Sequence, residues 1–164
     1  MARQFRMNAL GDTPLHLAIS NSAPGYIVEE LVKIVSEEEE LMEMEETLGI
    51  EDFHGNTPLH LAASMGSLKS CVSIAKASPH LLKRRNGEGE TPLFLAAARG
   101  DTEIFLCLHY ICGESSDVGL GISLVRNYSG ETILHCAIQR EFWGEHLFYI
   151  VLNRNCIYGY RVPT

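Results

Sequence analysis

The sequence predicts an all-α solenoid of about four stacked helix–turn–helix repeats with hairpin fingers. Three observations carry this. A nine-residue pattern recurs four times, as Gly11-Asp-Thr-Pro-Leu-His-Leu-Ala-Ile19, Gly55-Asn-Thr-Pro-Leu-His-Leu-Ala-Ala63, Gly89-Glu-Thr-Pro-Leu-Phe-Leu-Ala-Ala97 and Gly130-Glu-Thr-Ile-Leu-His-Cys-Ala-Ile138. An apolar stripe at helical spacing follows each copy. An Asx residue (Asn8, Asp52, Asn86 or Asn127) stands three positions before each glycine.

Each letter of the pattern has a physical task. Thr13, Thr57, Thr91 and Thr132 suit an N-cap, because a hydroxyl accepts from the free amides of the first helical turn. Pro14, Pro58 and Pro92 fit the first helical position, where a fixed φ helps and a missing N–H costs nothing. Ile133 replaces proline in the last copy, so that helix should start less sharply. Leucine and alanine then share one face, and small alanines let helices approach closely. The glycine fits a turn with positive φ, and the Asx residue before it favours a turn through side-chain bonds to backbone two residues on. Each Asx-x-x-Gly stretch therefore reads as a hairpin tip.

Second helices are predicted from spacings of three and four. Val28, Leu31, Val32 and Val35 form one stripe, Leu68, Cys71, Val72 and Ala75 another, and Ile104, Cys107, Leu108 and Ile111 a third. Trp143, Leu147, Ile150 and Val151 form a rougher fourth. Such pairs cannot bury their faces alone, so neighbouring repeats must supply the core.

The recurring pattern resembles the ankyrin repeat, whose signature is T-P-L-H-x-A on a period of about 33 residues. The starting glycines are 44, 34 and 41 residues apart, so the first and third intervals carry extra residues. One array over 1–164 is expected, with repeats near 8–51, 52–85, 86–126 and 127–160 and an acidic insert near 36–47. Leu41, Met44 and Leu48 would let the second helix of repeat one run on through the insert, its glutamates in solvent. The stretch from Gly113 to Gly121 reads as a surface loop. Gly66 and Gly100 stand between the helices of the middle repeats, whereas Ser22 and Glu141 stand there in the end repeats, which are expected to bend differently.

Bulk properties fit a globular array. Of 164 residues, 46% are hydrophobic, too many for a disordered chain. No apolar run approaches the roughly 20 residues of a membrane span, and no secretory signal precedes the first repeat. Five scattered cysteines favour buried thiols in a reducing compartment, with a cytoplasmic location expected, or membrane association if the chain is a fragment of, or pairs with, a membrane-anchored relative. The net charge is −8, and seven glutamates between Glu37 and Glu46 account for all but one of those charges. This local acidity reads as a solvated face or a dock for a basic partner, and it argues against nucleic acid.

Catalysis finds no support. His16, His60 and His135 recur near a helix start, where they are expected to bond backbone and tie one hairpin to the next. Phe94 fills that place in repeat three, which a shared catalytic role would not allow. Cys107, His109 and Cys112 do not converge on one side of a helix, so no metal is expected. No phosphate-binding glycine loop, nucleophile elbow or convergent acid, base and nucleophile is present. Lys83, Arg84 and Arg85 are too few for a nucleic-acid footprint. No cofactor, small-molecule substrate or membrane insertion is expected.

The ankyrin resemblance implies a protein partner held by hairpin tips and the exposed face of the first helices. Carried over by position, these are Phe53, His54 and Asn56 on the second tip and Glu88 and Glu90 on the third. Tyr128, Ser129 and Glu131 are their counterparts on the fourth, with Ser64, Met65, Arg99, Gln139 and Arg140 on the inner helices. Phe53 and Tyr128 are the expected anchors, since aromatics dominate hot spots. The stretch from Gly89 to Cys112 is also similar to plant ankyrin proteins of defence and stress signalling, which carry a C-terminal multi-helix membrane module. The sequence stops at Thr164 before such a module, as a short isoform, a truncated product or a stand-alone array would. Trp143, Phe148, Tyr149 and Ile150 would leave a sticky C-terminal face that self-associates or binds another domain. Two functions thus compete, a scaffold and a regulatory module that masks an enzyme.

Overall fold

A computed structural model describes residues 8–38, 41–114, 127–133 and 135. Its elements are helices: α1 (Pro14–Ser20), α2 (Gly25–Glu38), α3 (Leu41–Leu48), α4 (Pro58–Met65), α5 (Leu68–Ala77), a 3-10 turn (Pro79–Lys83), α6 (Pro92–Arg99) and α7 (Thr102–Glu114). Inner helices α1, α4 and α6 stack on one another, and outer helices α2, α5 and α7 form a second layer. The core lies between the layers, where Val28, Leu59, Ala62, Cys71, Ile74, Phe94, Ile104 and Leu108 are almost completely buried. Ala62 and Ala63 of α4 and Ala96 and Ala97 of α6 are buried, and such small side chains permit the close packing of these two helices.

The outer stripes differ from the simple spacing. Ile74 is buried while Leu68 and Val72 are only half-buried. Phe105 and Cys112 are buried in α7 while Cys107 is half-buried. Outer helices pack against both an inner helix and a flanking outer helix. Their apolar arc is therefore wider than one stripe.

The acidic insert is helical on either side of residues 39–40, in the end of α2 and in α3, and Met44 and Leu48 of α3 are buried. Its Glu43 and Glu46 remain exposed. Ser22 does not bend repeat one differently. It adopts φ of 53°, the left-handed region that Gly66 and Gly100 occupy at 78° and 83°. The N–H of Ala23 closes onto Ala18 O as Ser67 N–H closes onto Ala62 O and Asp101 N–H onto Ala96 O. The helix end dictates that geometry, and serine meets it at a cost of about 1 kcal/mol. Gly113 and Glu114 lie in α7 rather than in a loop. The second helix of repeat four, Glu141 and the C-terminal face fall outside the described residues.

The hairpins form a continuous ladder. In the second, third and fourth tips the Asx N–H bonds the carbonyl four residues on: Asp52 to Asn56 at 2.9 Å, Asn86 to Glu90 at 2.9 Å and Asn127 to Glu131 at 3.0 Å. The Asx Oδ1 accepts from inside the tip, for example from Glu88 N–H at 3.1 Å and Glu90 N–H at 2.9 Å. Successive tips are joined by Phe53 N–H to Leu10 O at 2.8 Å, Gly87 N–H to His54 O at 2.9 Å and Tyr128 N–H to Glu88 O at 3.1 Å. The close approach requires glycine. A Cβ on Gly55, whose φ is 76°, would lie 2.7 Å from Gly87 N.

Candidate functional site: the hairpin and inner-helix surface

The histidines are structural, as their recurrence suggested. Thr57 N–H donates to His60 Nδ1 at 3.2 Å, and the Thr57 hydroxyl lies 2.8 Å from the same nitrogen. With Nδ1 accepting, the ring proton sits on Nε2, which donates to Arg84 O at 3.1 Å and Glu90 O at 3.0 Å. His16 repeats this with Thr13 and with Asn56 O at 2.9 Å. One neutral imidazole thus caps its own helix and holds the next hairpin. Phe94 cannot make these bonds, and its ring fills the equivalent space as core.

Burial pushes the His60 imidazole down to about 4, against the upward pull of its bonds to Glu90 and Arg84. The unfolded chain therefore takes up this proton first, near the ordinary value of 6.5. The contribution is complete above that value and is lost as pH falls through it toward 4. At pH 5 the loss should be about 2 kcal/mol. Unfolding free energies of wild type and His60→Gln, measured from pH 7.5 to 5, should approach one another by that amount, because only wild type loses the His60 contribution while glutamine preserves a capping side chain. Burial lowers His109 as well, so both proteins retain a smaller slope of the same sign.

The expected partner-binding residues fall into three groups. Phe53, His54, Asn56, Ser64, Glu88 and Glu90 converge on one open groove of about 540 Å³ between the second and third hairpins. Phe53 is 79% exposed, and its ring meets that of His54 edge-on at 6.3 Å. Tyr128, Ser129 and Glu131 stand on the fourth tip, with Tyr128 71% exposed and Ser129 exposed. Met65 and Arg99 are exposed on the inner helices outside the groove lining, and Gln139 and Arg140 lie outside the described residues.

Several of these side chains hold the stack as well. Asn56 Nδ2 bonds Asp52 at 3.3 Å, and Asn56 Oδ1 accepts from Asn86 Nδ2 at 3.0 Å. Within their own tips, Glu90 accepts from Asn86 at 3.2 Å and Glu131 from Asn127 at 3.0 Å. The Arg99 guanidinium donates to Ser64 O at 2.9 Å and lies over Gly66, where a Cβ would come within 2.7 Å of it. The Tyr128 ring packs against Gly89, and Arg85 lies 5.9 Å above its centroid while bonding Gly89 O. The contribution of Tyr128 is thus partly internal.

Sequence reasoning missed Asn86 and Leu95 in the groove lining. The sequence marks Asn86 only as a turn former and Leu95 only as a core letter of the repeat. Their position was legible in the repeat register: Leu95 is one helical turn from Thr91, on the side facing the tips.

Among the described residues, no helix is long and apolar enough to cross a membrane, and no group of three His, Cys, Asp or Glu side chains is placed to hold a metal. Burial pushes the Cys71 thiol up to about 12 and raises Cys112 above its ordinary value, so neither is an activated nucleophile.

Two family models for ankyrin repeats match the chain, one over residues 2–82 and the other over 59–109. It is 39% identical over 98 residues to NF-kappa-B inhibitor alpha of Rattus norvegicus and of Homo sapiens, an alignment that covers 57% of the chain. A second match is ankyrin repeat domain-containing protein 13C-A of Xenopus laevis, 39% identical over 62 residues and 38% of the chain. The chain spans 28% and 27% of the two inhibitor proteins and 12% of the Xenopus protein. Repeated motif, stacked helix pairs, linked hairpins and family match agree: this chain belongs to the ankyrin-repeat family.

Proposed function

We propose that this chain is a non-catalytic scaffold that holds another protein on its hairpin tips and the exposed side of its inner helices. The observation that carries this is the convergence of six side chains, from two tips and one inner helix, on a single open groove. Tips joined by a backbone ladder present that groove on a rigid frame, which lowers the ordering cost of binding.

A regulatory form of the same reading has one specific support. The inhibitor proteins of rat and human are named for restraining a partner, and the chain aligns with them over 57% of its length. Here the groove would mask a surface of its target. A role in plant defence or membrane-anchored signalling rests only on the Gly89–Cys112 stretch, and the relatives named above are vertebrate proteins.

Quantitative pull-down tests the reading. Phe53→Ala, His54→Ala and Glu88→Ala combined should reduce capture of bound proteins about tenfold or more. The three side chains are exposed, and the tip ladder runs through their backbone groups, so the melting temperature should hold. Equal capture by both proteins would place binding elsewhere, with the acidic helix α3 next in line.

A further inference from the structure

We infer that the groove between the second and third hairpins receives an extended peptide segment of a partner, carrying a lysine or arginine beside an apolar residue. The inference rests on the scaffold reading and adds the chemistry of what is held.

The shape of the groove limits the occupant. A volume of about 540 Å³ lies within the roughly 300–1,000 Å³ typical of sites for small ligands, room for a few side chains but not for a folded domain. The chemistry of its wall is uneven. Leu95 is half-buried in the lining and Phe53 presents its ring, while Glu88 and Glu90 place two carboxylates nearby. A long basic side chain matches this arrangement part by part. Its aliphatic stem lies along apolar surface and its cationic head reaches a carboxylate. An adjacent apolar residue, or the cation itself, covers the exposed Phe53 ring.

Among the described residues, no lysine or arginine lines the groove. Arg85 bonds Gly89 O and lies over Tyr128, and Arg99 bonds Ser64 O. Asn86, which donates to Glu90, is neutral. Burial raises the Glu90 carboxyl above its ordinary value, the Asn86 bond opposes that rise, and repulsion from Glu88 and then Glu131 adds to it. An incoming cation relieves this repulsion, whereas an acidic or uncharged segment gains nothing from it.

Selection from a display library of short random peptides on wild-type protein tests the inference. Enriched peptides are then synthesised and their affinities measured for wild type, Glu88→Gln and Phe53→Ala at low and physiological ionic strength. Expected are sequences with lysine or arginine next to an apolar residue, bound more weakly as salt rises. Affinity should fall about two- to fivefold for Glu88→Gln and about tenfold for Phe53→Ala. Thermal melts verify that both variants fold as wild type does.

Enrichment of peptides without a basic residue would overturn the inference, as would equal affinity for wild type and both variants. No enrichment over the bare support would overturn it too. In that last case the pull-down separates the two readings: capture lost with the tip variant keeps the scaffold and discards the peptide, and capture unchanged discards both.

Discussion

Replacing Phe94 by alanine should destabilise the protein by about 3–5 kcal/mol, because it removes a large buried ring and leaves a cavity that its surroundings fill only in part. The ring is 2% exposed on α6, which packs on α4, α7 and the 3-10 turn. In a stack where each repeat contacts only its neighbours, weakening the third repeat also weakens the interface that supports the second. Chemical denaturation should show a lower midpoint for Phe94→Ala. A loss below about 1 kcal/mol would show that the site collapses freely and that the third repeat contributes little to the stack. Phe94→His should cost less than alanine if the imidazole reaches the Glu131 carbonyl, as His60 reaches that of Glu90.

His60→Ala should cost about 3 kcal/mol, by a different route. Truncation strands the buried Thr57 N–H and removes the donor from Arg84 O, and each unsatisfied buried group costs about 1–3 kcal/mol. Glu90 O suffers less, since it still accepts from Asn86 N–H. The change should lower the denaturation midpoint and speed amide exchange in the third hairpin above that in the second. Uniform exchange across both hairpins would mean that His60 acts only through its own helix. His135→Ala is the natural comparison, because His135 makes the same bonds to Thr132 while exposed, and its cost should be well under 1 kcal/mol.

The two predictions meet at one position of the repeat. A motif can hold that position with either residue type because two physical solutions exist there: a polar ring that bonds a neighbouring hairpin, or an apolar ring that fills the same space. Only the stacked arrangement shows that His60 and Phe94 answer the same demand, since the carbonyls His60 reaches are 24 and 30 residues away.

Local chemistry was fully legible in the chain. Threonine caps, proline at the first helical position, Asx turns and glycines of positive φ act within a few residues of themselves, so a nine-residue pattern fixes each helix start and each tip. Their recurrence fixed the class of fold, since helix pairs of this kind bury their faces only against copies of themselves. The candidate surface was legible as a register, which put Phe53, His54 and Glu88 on tips and Ser64 on an inner helix.

Tertiary structure decided the rest, because it depends on what lies across a stacking distance rather than along the chain. It tied the Asn56 Oδ1 to the Asn86 Nδ2 of the next tip, 30 residues away. It seated Tyr128 on Gly89 and Arg99 on Gly66, both contacts that a bare backbone permits. It buried Met44 and Leu48 of α3 beside the acidic run. Sequence by itself determined which residues start a helix, make a turn or seek the core. Which polar side chains remain available to a partner was decided only when the hairpins came together, because a hydrogen bond between tips leaves the same residue types satisfied in one place and exposed in another.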